Sequence, residues 1–186
     1  GPEGEHSHGE AAFTVWLDPL LFEKQAVALT DAIVTDMPLE QREAIEERLV
    51  QIRGTIIKWN TAIYRIAKYL DGAPLLYSHP VYQYMDRRYK LNGVALHWEP
   101  DAMPSDREWA ALDQLLQTHP AELMLWEAAP LPAVAKRLEE RGIAVAVFAP
   151  QGNRPESGDY ATTMRQNLNN LVNAIAPGTP LTGVVP

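Results

Sequence analysis

The sequence contains no cysteine. That absence excludes thiolate nucleophiles, cysteine-based zinc sites and disulfides, so any transition metal must be held by His, Asp or Glu. It leaves the compartment open. No run approaches the ~20 consecutive apolar residues that a membrane-spanning helix needs. Basic residues are also short, with 16 Lys and Arg against 24 Asp and Glu and a net charge of -8. This balance argues against nucleic acid as a partner, because clustered Lys and Arg supply most of the affinity for a phosphate backbone. Familiar catalytic signatures are missing as well: a Gly-rich phosphate loop, a Gly-x-Ser-x-Gly elbow and His-Glu-x-x-His. Enzymatic activity has no positive support, and the chain is read as a non-enzyme. No signal peptide is visible, and Gly1-Pro2 reads as an expression scar or an internal cut, which places the natural N-terminus elsewhere.

What is present is a chain of 186 residues, enough for one well-buried domain. Residues 1–11 are polar and carry His6 and His8; with nothing to bury, they read as a flexible segment. Residues 12–74 form a linking unit. Phe13 to Trp16 reads as a short extended piece, and Asp18-Pro19 as the N-cap and first residue of a helix running to about Thr35. Then Ile45, Leu49, Ile52, Ile56, Trp59, Ile63, Ile66 and Leu70 step by four and three. That periodicity predicts one long amphipathic helix, entered through Asp36-Met37-Pro38, stopped by Asp71-Gly72 and about 45 Å long. The same stripe would serve a coiled coil, but without an e/g charge pattern packing within its own domain is the preferred reading.

From residue 75 the rhythm changes. Leu75–Ser78, Gly93–His97, Glu122–Trp126 and Ala144–Phe148 are short apolar runs separated by helical segments expected to be ten to fifteen residues long. One opens with the capping-box spelling Ser105-Asp106-Arg107-Glu108; another presents Leu131, Val134 and Leu138; the last presents Tyr160, Met164, Leu168, Leu171 and Ile175. Alternating strands and helices predict an α/β fold over 75–176: a four-stranded parallel sheet with helices on both faces, preceded by the long helix. An irregular tail, 177–186, follows.

Ligands of open parallel sheets gather beyond the carboxyl ends of the strands. Those ends read Ser78-His79-Pro80, His97-Trp98-Glu99-Pro100, Trp126-Glu127-Ala128 and Phe148-Ala149-Pro150-Gln151-Gly152. His79, His97, Glu99 and Glu127 thus converge on one edge, a donor set suited to a hard or borderline divalent cation. Each also has a plainer role open to it. His79 can cap the next helix, His97 can simply be exposed or pack, and the two glutamates can accept loop N–H groups.

Three stretches in order, Val15-Trp16-Leu17-Asp18-Pro19, Leu76 to Tyr84 with Ser78-His79-Pro80-Val81-Tyr82 at its centre, and Tyr160 to Leu168, accompany Glu99-Pro100 and Trp126-Glu127. Together they resemble the zinc- and manganese-binding solute receptors of ABC importers, whose two lobes are joined by a rigid long helix. The resemblance covers the second half of such a receptor, and implies that the N-terminal lobe is missing from this chain. The His6 and His8 segment is similar to the metal-gathering loop of zinc receptors. By resemblance, the metal would lie between lobes and His79 would be a ligand. Thr14 stands where a histidine is expected and Ala149 where an acidic ligand is expected, and neither side chain can replace those donors on zinc. The implied function is the zinc- or manganese-binding component of an ABC importer with a partly degenerate site. Glu99, Glu127, His97, His6 or His8 would fill in, and a bound Zn or Mn ion would be held weakly. The implied partners are the divalent ion, the membrane ABC permease and the missing lobe. The implied location is periplasmic, or extracellular and membrane-anchored. Two other classes stay open: a flavodoxin-like interaction or regulatory module that has lost metal transport, and an enzyme using Glu99 and Glu127 as acid and base.

Overall fold

The computed structural model describes residues 13–155 and 157–177; His6, His8, the 1–11 segment and the tail from 178 lie outside them. Where an extended piece is expected, Val15–Leu17 forms a 3₁₀ turn. Its backbone bonds, Leu17 N–H to Thr14 O and Asp18 N–H to Val15 O, curl the segment back on itself. Helix α1 (Pro19–Val34) begins as its sequence implies, with the Asp18 carboxylate accepting from the Leu20 and Leu21 N–H groups. Helix α2 (Leu39–Leu70) runs six residues earlier than the periodic stripe and is about 48 Å long. It ends on Asp71 in the left-handed conformation, whose N–H caps the Ala67 carbonyl. The stripe is buried only in its second half, at Ile56, Trp59, Ile63 and Ile66; Ile52 remains 43% exposed.

The four strands are β1 (Pro74–Tyr77), β2 (Asn92–Ala95), β3 (Leu123–Trp126) and β4 (Ala144–Val147). They form one parallel sheet in the order β2-β1-β3-β4. The connecting helices are shorter than expected: α3 (Gln83–Tyr89), α4 (Asp106–Leu115) and α5 (Pro132–Glu139) have seven, ten and eight residues. Strands of four residues are covered by two or three helical turns, so longer helices have nothing further to bury. Helix α6 (Tyr160–Ile175) closes the fold, capped by Asp159. The capping box at Ser105 and Glu108 is present as its spelling implies.

Alternation along each strand divides the interior into two cores. Leu75, Tyr77, Leu123, Leu125 and Ala146 pack with α2, α3 and α6. Leu76, Met124 and Trp126 face α4 and α5, meeting Trp109, Leu112, Val134 and Leu138. Gly93 in β2 is required because a Cβ there would lie 2.1 Å from the Tyr77 ring. The linking unit is tied to this lobe by a polar knot. Arg88 of α3 lies 3.2 Å from the buried Asp18 carboxylate, and the Asn60 carboxamide oxygen of α2 accepts from Arg88 and from the Tyr89 hydroxyl.

Two substitutions test these constraints in urea unfolding. Asp18→Ala removes cap and ion pair together and is expected to cost about 2–4 kcal/mol, whereas Asp18→Asn keeps the cap and costs less. Gly93→Ala forces the Tyr77 ring or the strand to move, and is expected to cost about 1–3 kcal/mol.

Candidate functional site

The strand order reverses between β1 and β3, since the chain first adds β2 on one side of β1 and then β3 on the other. At such a reversal the connections leave in opposite directions and open a crevice outside the carboxyl ends. His79 follows the end of β1 and Glu127 follows the end of β3, so both stand at this switch point. The ladder continues past the strands, with Ser78 N–H bonded to Leu125 O and Trp98 N–H bonded to Ser78 O, each at 2.8 Å. That extension holds residues 97–99 beside 78–79. Trp98 is buried against Trp109, ring centroids 4.7 Å apart, so its chain neighbours His97 and Glu99 turn outward onto the open edge.

The edge gathers the expected residues in part. His79 Nε2 lies 3.4 Å from Glu99 Oε1, with the imidazole largely buried and the carboxylate exposed. The His97 ring meets His79 edge-on, centroids 5.6 Å apart. Glu127 is half-buried and close enough to feel both charges. Burial holds its carboxyl above the usual carboxylate range; His79 opposes the rise and Glu99 adds to it. His79 does not cap α3, whose N-cap is Tyr82 without a side-chain bond. Among the described residues, no three His, Asp or Glu side chains are arranged to hold a metal ion. A cavity of about 880 Å³ opens beside them, lined by Glu99, Asp101, Glu127, Ala149, Gln151 and Asn153 among others.

Thr14 and Ala149 are built into the scaffold of this edge. Thr14 is fully buried and its hydroxyl donates to the Val81 carbonyl, in the loop after His79. Trp16 donates its indole N–H to the Pro150 carbonyl at 2.7 Å. Asn167 of α6 grips the Ala149 peptide from both sides: Oδ1 accepts its N–H and Nδ2 donates to its carbonyl, each at 2.9 Å. Asn167 was legible as a polar residue on the apolar face of α6 beside Met164 and Leu168, a signal the strand-end reading passes over. Gln151 falls in the last strand-end run, without a role assigned to it there. Its φ of 58° is left-handed, and both polar atoms of its side chain are buried without a hydrogen-bond partner at the cavity wall.

The chain is an open parallel α/β lobe, a class of fold whose ligands gather at the switch point. The particular family follows from comparison: the chain belongs to the family described as "ZnuA: Zinc-uptake complex component A periplasmic", whose model matches residues 1–174. The fold is similar to the Zn(II)-bound ZnuA-like domain of Streptococcus pneumoniae AdcA, with TM-score 0.77, 22% identity, and coverage of 94% of this chain and 67% of that one. It is similar to the metal-dependent lipoprotein YcdH of Bacillus subtilis, with TM-score 0.77, 24% identity, and coverage of 90% and 66%. Against Zn(II)-bound AdcA of Streptococcus pneumoniae the TM-score is 0.74 at 22% identity, covering 90% of this chain and 38% of that one. The chain therefore spans about two thirds of the first two and far less of the third. A search of curated proteins gives no match. No helix among the described residues is long and apolar enough to cross a membrane.

The Glu127 environment gives a signed prediction. A carboxyl whose folded value is raised stabilises the fold below its unfolded value, and that stability is lost as pH rises through the folded value. Glu127→Gln removes a cost that is present at neutral pH. The melting temperature is expected to rise at pH 7, with the gain shrinking towards pH 4.

Proposed function

We propose that this chain is the C-terminal lobe of a zinc or manganese receptor of an ABC importer, with His79 as the ligand it retains. The observation that carries the reading is the pairing of the largely buried His79 imidazole with Glu99 at the switch point, in a chain matched over residues 1–174 by a zinc-uptake family. The cargo is a divalent ion. Glu127 and His97 stand close enough to His79 to complete a weak site after small side-chain shifts. A divalent charge there would offset the mutual repulsion of Glu99 and Glu127, which is the chemical reason for cation over anion.

The donors are too few for tight binding. Structural and transport zinc sites take three or four protein ligands, and Thr14 and Ala149 offer neither nitrogen nor carboxylate. The remaining ligands would come from the N-terminal lobe that this reading places across the cleft, with His6 and His8 as further candidates for gathering the ion. The same reading places the protein in the periplasm, or outside the cell on a membrane anchor, where it hands the ion to an ABC permease. The 1–11, 12–74, 75–176 and 177–186 divisions are then a metal-gathering segment, the inter-lobe connection, the lobe and its tail.

Calorimetric titration with zinc is expected to give weak binding to this chain, and His79→Ala is expected to abolish it. Submicromolar binding that survives His79→Ala overturns the assignment. Ala149→Glu places a carboxylate on a peptide already gripped by Asn167 at the cavity wall, and is expected to tighten zinc binding by about tenfold or more.

A further inference from the structure

Helix α2 has a second apolar face. Leu39, Val50, Ile57 and Tyr64 are 72%, 68%, 57% and 62% exposed. Their separations of eleven, seven and seven residues bring them within about 40° of arc, opposite the buried face made by Ile56, Trp59, Ile63 and Ile66. Gly54 and Thr61, also exposed, fall between them and complete a seam Val50-Gly54-Ile57-Thr61-Tyr64 that steps by four and three. That is heptad spacing, the pattern with which one helix seats against another. A Cβ at Gly54 would meet nothing within 4 Å, so the seam has an open notch at its centre. Single exposed apolar residues need no explanation, but Val50, Ile57 and Tyr64 aligned on one face do; between Leu39 and Val50 that face carries Glu43 and Glu46.

Charge on the helix is divided by halves. Residues 39–52 hold Glu40, Glu43, Glu46 and Glu47 against Arg42 and Arg48. Residues 53–70 hold Arg53, Lys58, Arg65 and Lys68 and no acidic residue. Such a helix is complementary to itself only when reversed.

We infer that α2 is a dimerisation surface whose occupant is α2 of a second copy, antiparallel, with the two-fold axis passing beside Thr55 and Ile56. In that register Ile57 seats in the partner's Gly54 notch, Val50 lies against Thr61, and Glu43 faces Lys68. A large side chain meets a small one where Ile57 faces Gly54, and the acidic half of each helix runs along the basic half of the other. A parallel pair would instead set like charge against like. Because the same patch serves both copies, the contact closes at two.

Sedimentation equilibrium of the 186-residue chain is expected to show a dimer that grows with concentration up to about 200 µM and weakens in high salt. Ile57→Asp is expected to be monomeric with an unchanged circular dichroism spectrum, since its side chain faces solvent in the single chain. Glu43→Lys and Lys68→Glu are each expected to weaken association about fivefold, and the double variant to recover it. The two residues lie about 37 Å apart on one helix, so recovery requires contact between copies. A chain that is monomeric throughout overturns the inference, as does a dimer that survives Ile57→Asp or a charge swap without recovery. A monomer whose stripe is covered by a preceding lobe in a longer protein overturns it too.

Discussion

Everything at the open edge depends on how the segment around Asp18 is fastened. Its carboxylate caps α1 and pairs with Arg88 of α3, while Arg88 shares the Asn60 oxygen of α2. One buried charge thus joins three helices, and it is tolerable there because cap and ion pair both satisfy it. The fastening fixes the residues just before it. Thr14 reaches the Val81 carbonyl and Trp16 the Pro150 carbonyl, so a single short segment braces the loops that follow β1 and β4. The bracing determines where His79 and Ala149 stand, although neither touches Asp18.

The electrostatics of the cleft follow from this placement. Glu99, Asp101 and Glu127 line one cavity, and burial of Glu127 holds its proton more firmly than usual. His79 and His97 meet edge to edge at one side. Negative potential in a concave, partly desolvated site attracts cations, yet a transition metal also needs donors arranged around a point. Among the described residues the edge has the potential and no three donors arranged around a point, which is the basis for proposing weak binding.

The fold was largely legible because its signals are local. The N-cap at Asp18-Pro19, the capping box at Ser105, and four apolar runs at regular intervals each depend on residues within a few positions of one another. The strand ends then follow from topology, which is why His79, His97, Glu99 and Glu127 were placed on one edge without coordinates. The 3₁₀ turn at Val15 was not legible, because it arises from the Thr14 and Trp16 bonds to loops distant in sequence. Short connecting helices were likewise hidden, since their length is set by the width of the sheet they cover. The left-handed backbone at Gln151 has no sequence signal at all, as glutamine is not a residue that prefers it.

Thr14 and Ala149 are both held by the scaffold of the open edge. Thr14 is completely buried and hydrogen-bonded, so its hydroxyl contributes to the fold as a donor to Val81. Ala149 keeps its peptide in the double grip of Asn167 while presenting only a methyl group to the cavity. A scaffold that pins a backbone this firmly beside a cleft is more than a methyl group needs. Asn167 is a buried carboxamide on the helix face that carries Met164, Leu168 and Leu171, and the Ala149 peptide satisfies both of its polar atoms. The Ala149 backbone is thus held still at the cavity wall, whatever side chain stands on it. His79, across the edge, follows Ser78, whose backbone is held by the extended ladder, and its imidazole meets Glu99. Ligand capacity at this edge is thus limited by which side chains occupy positions that the fold already holds still.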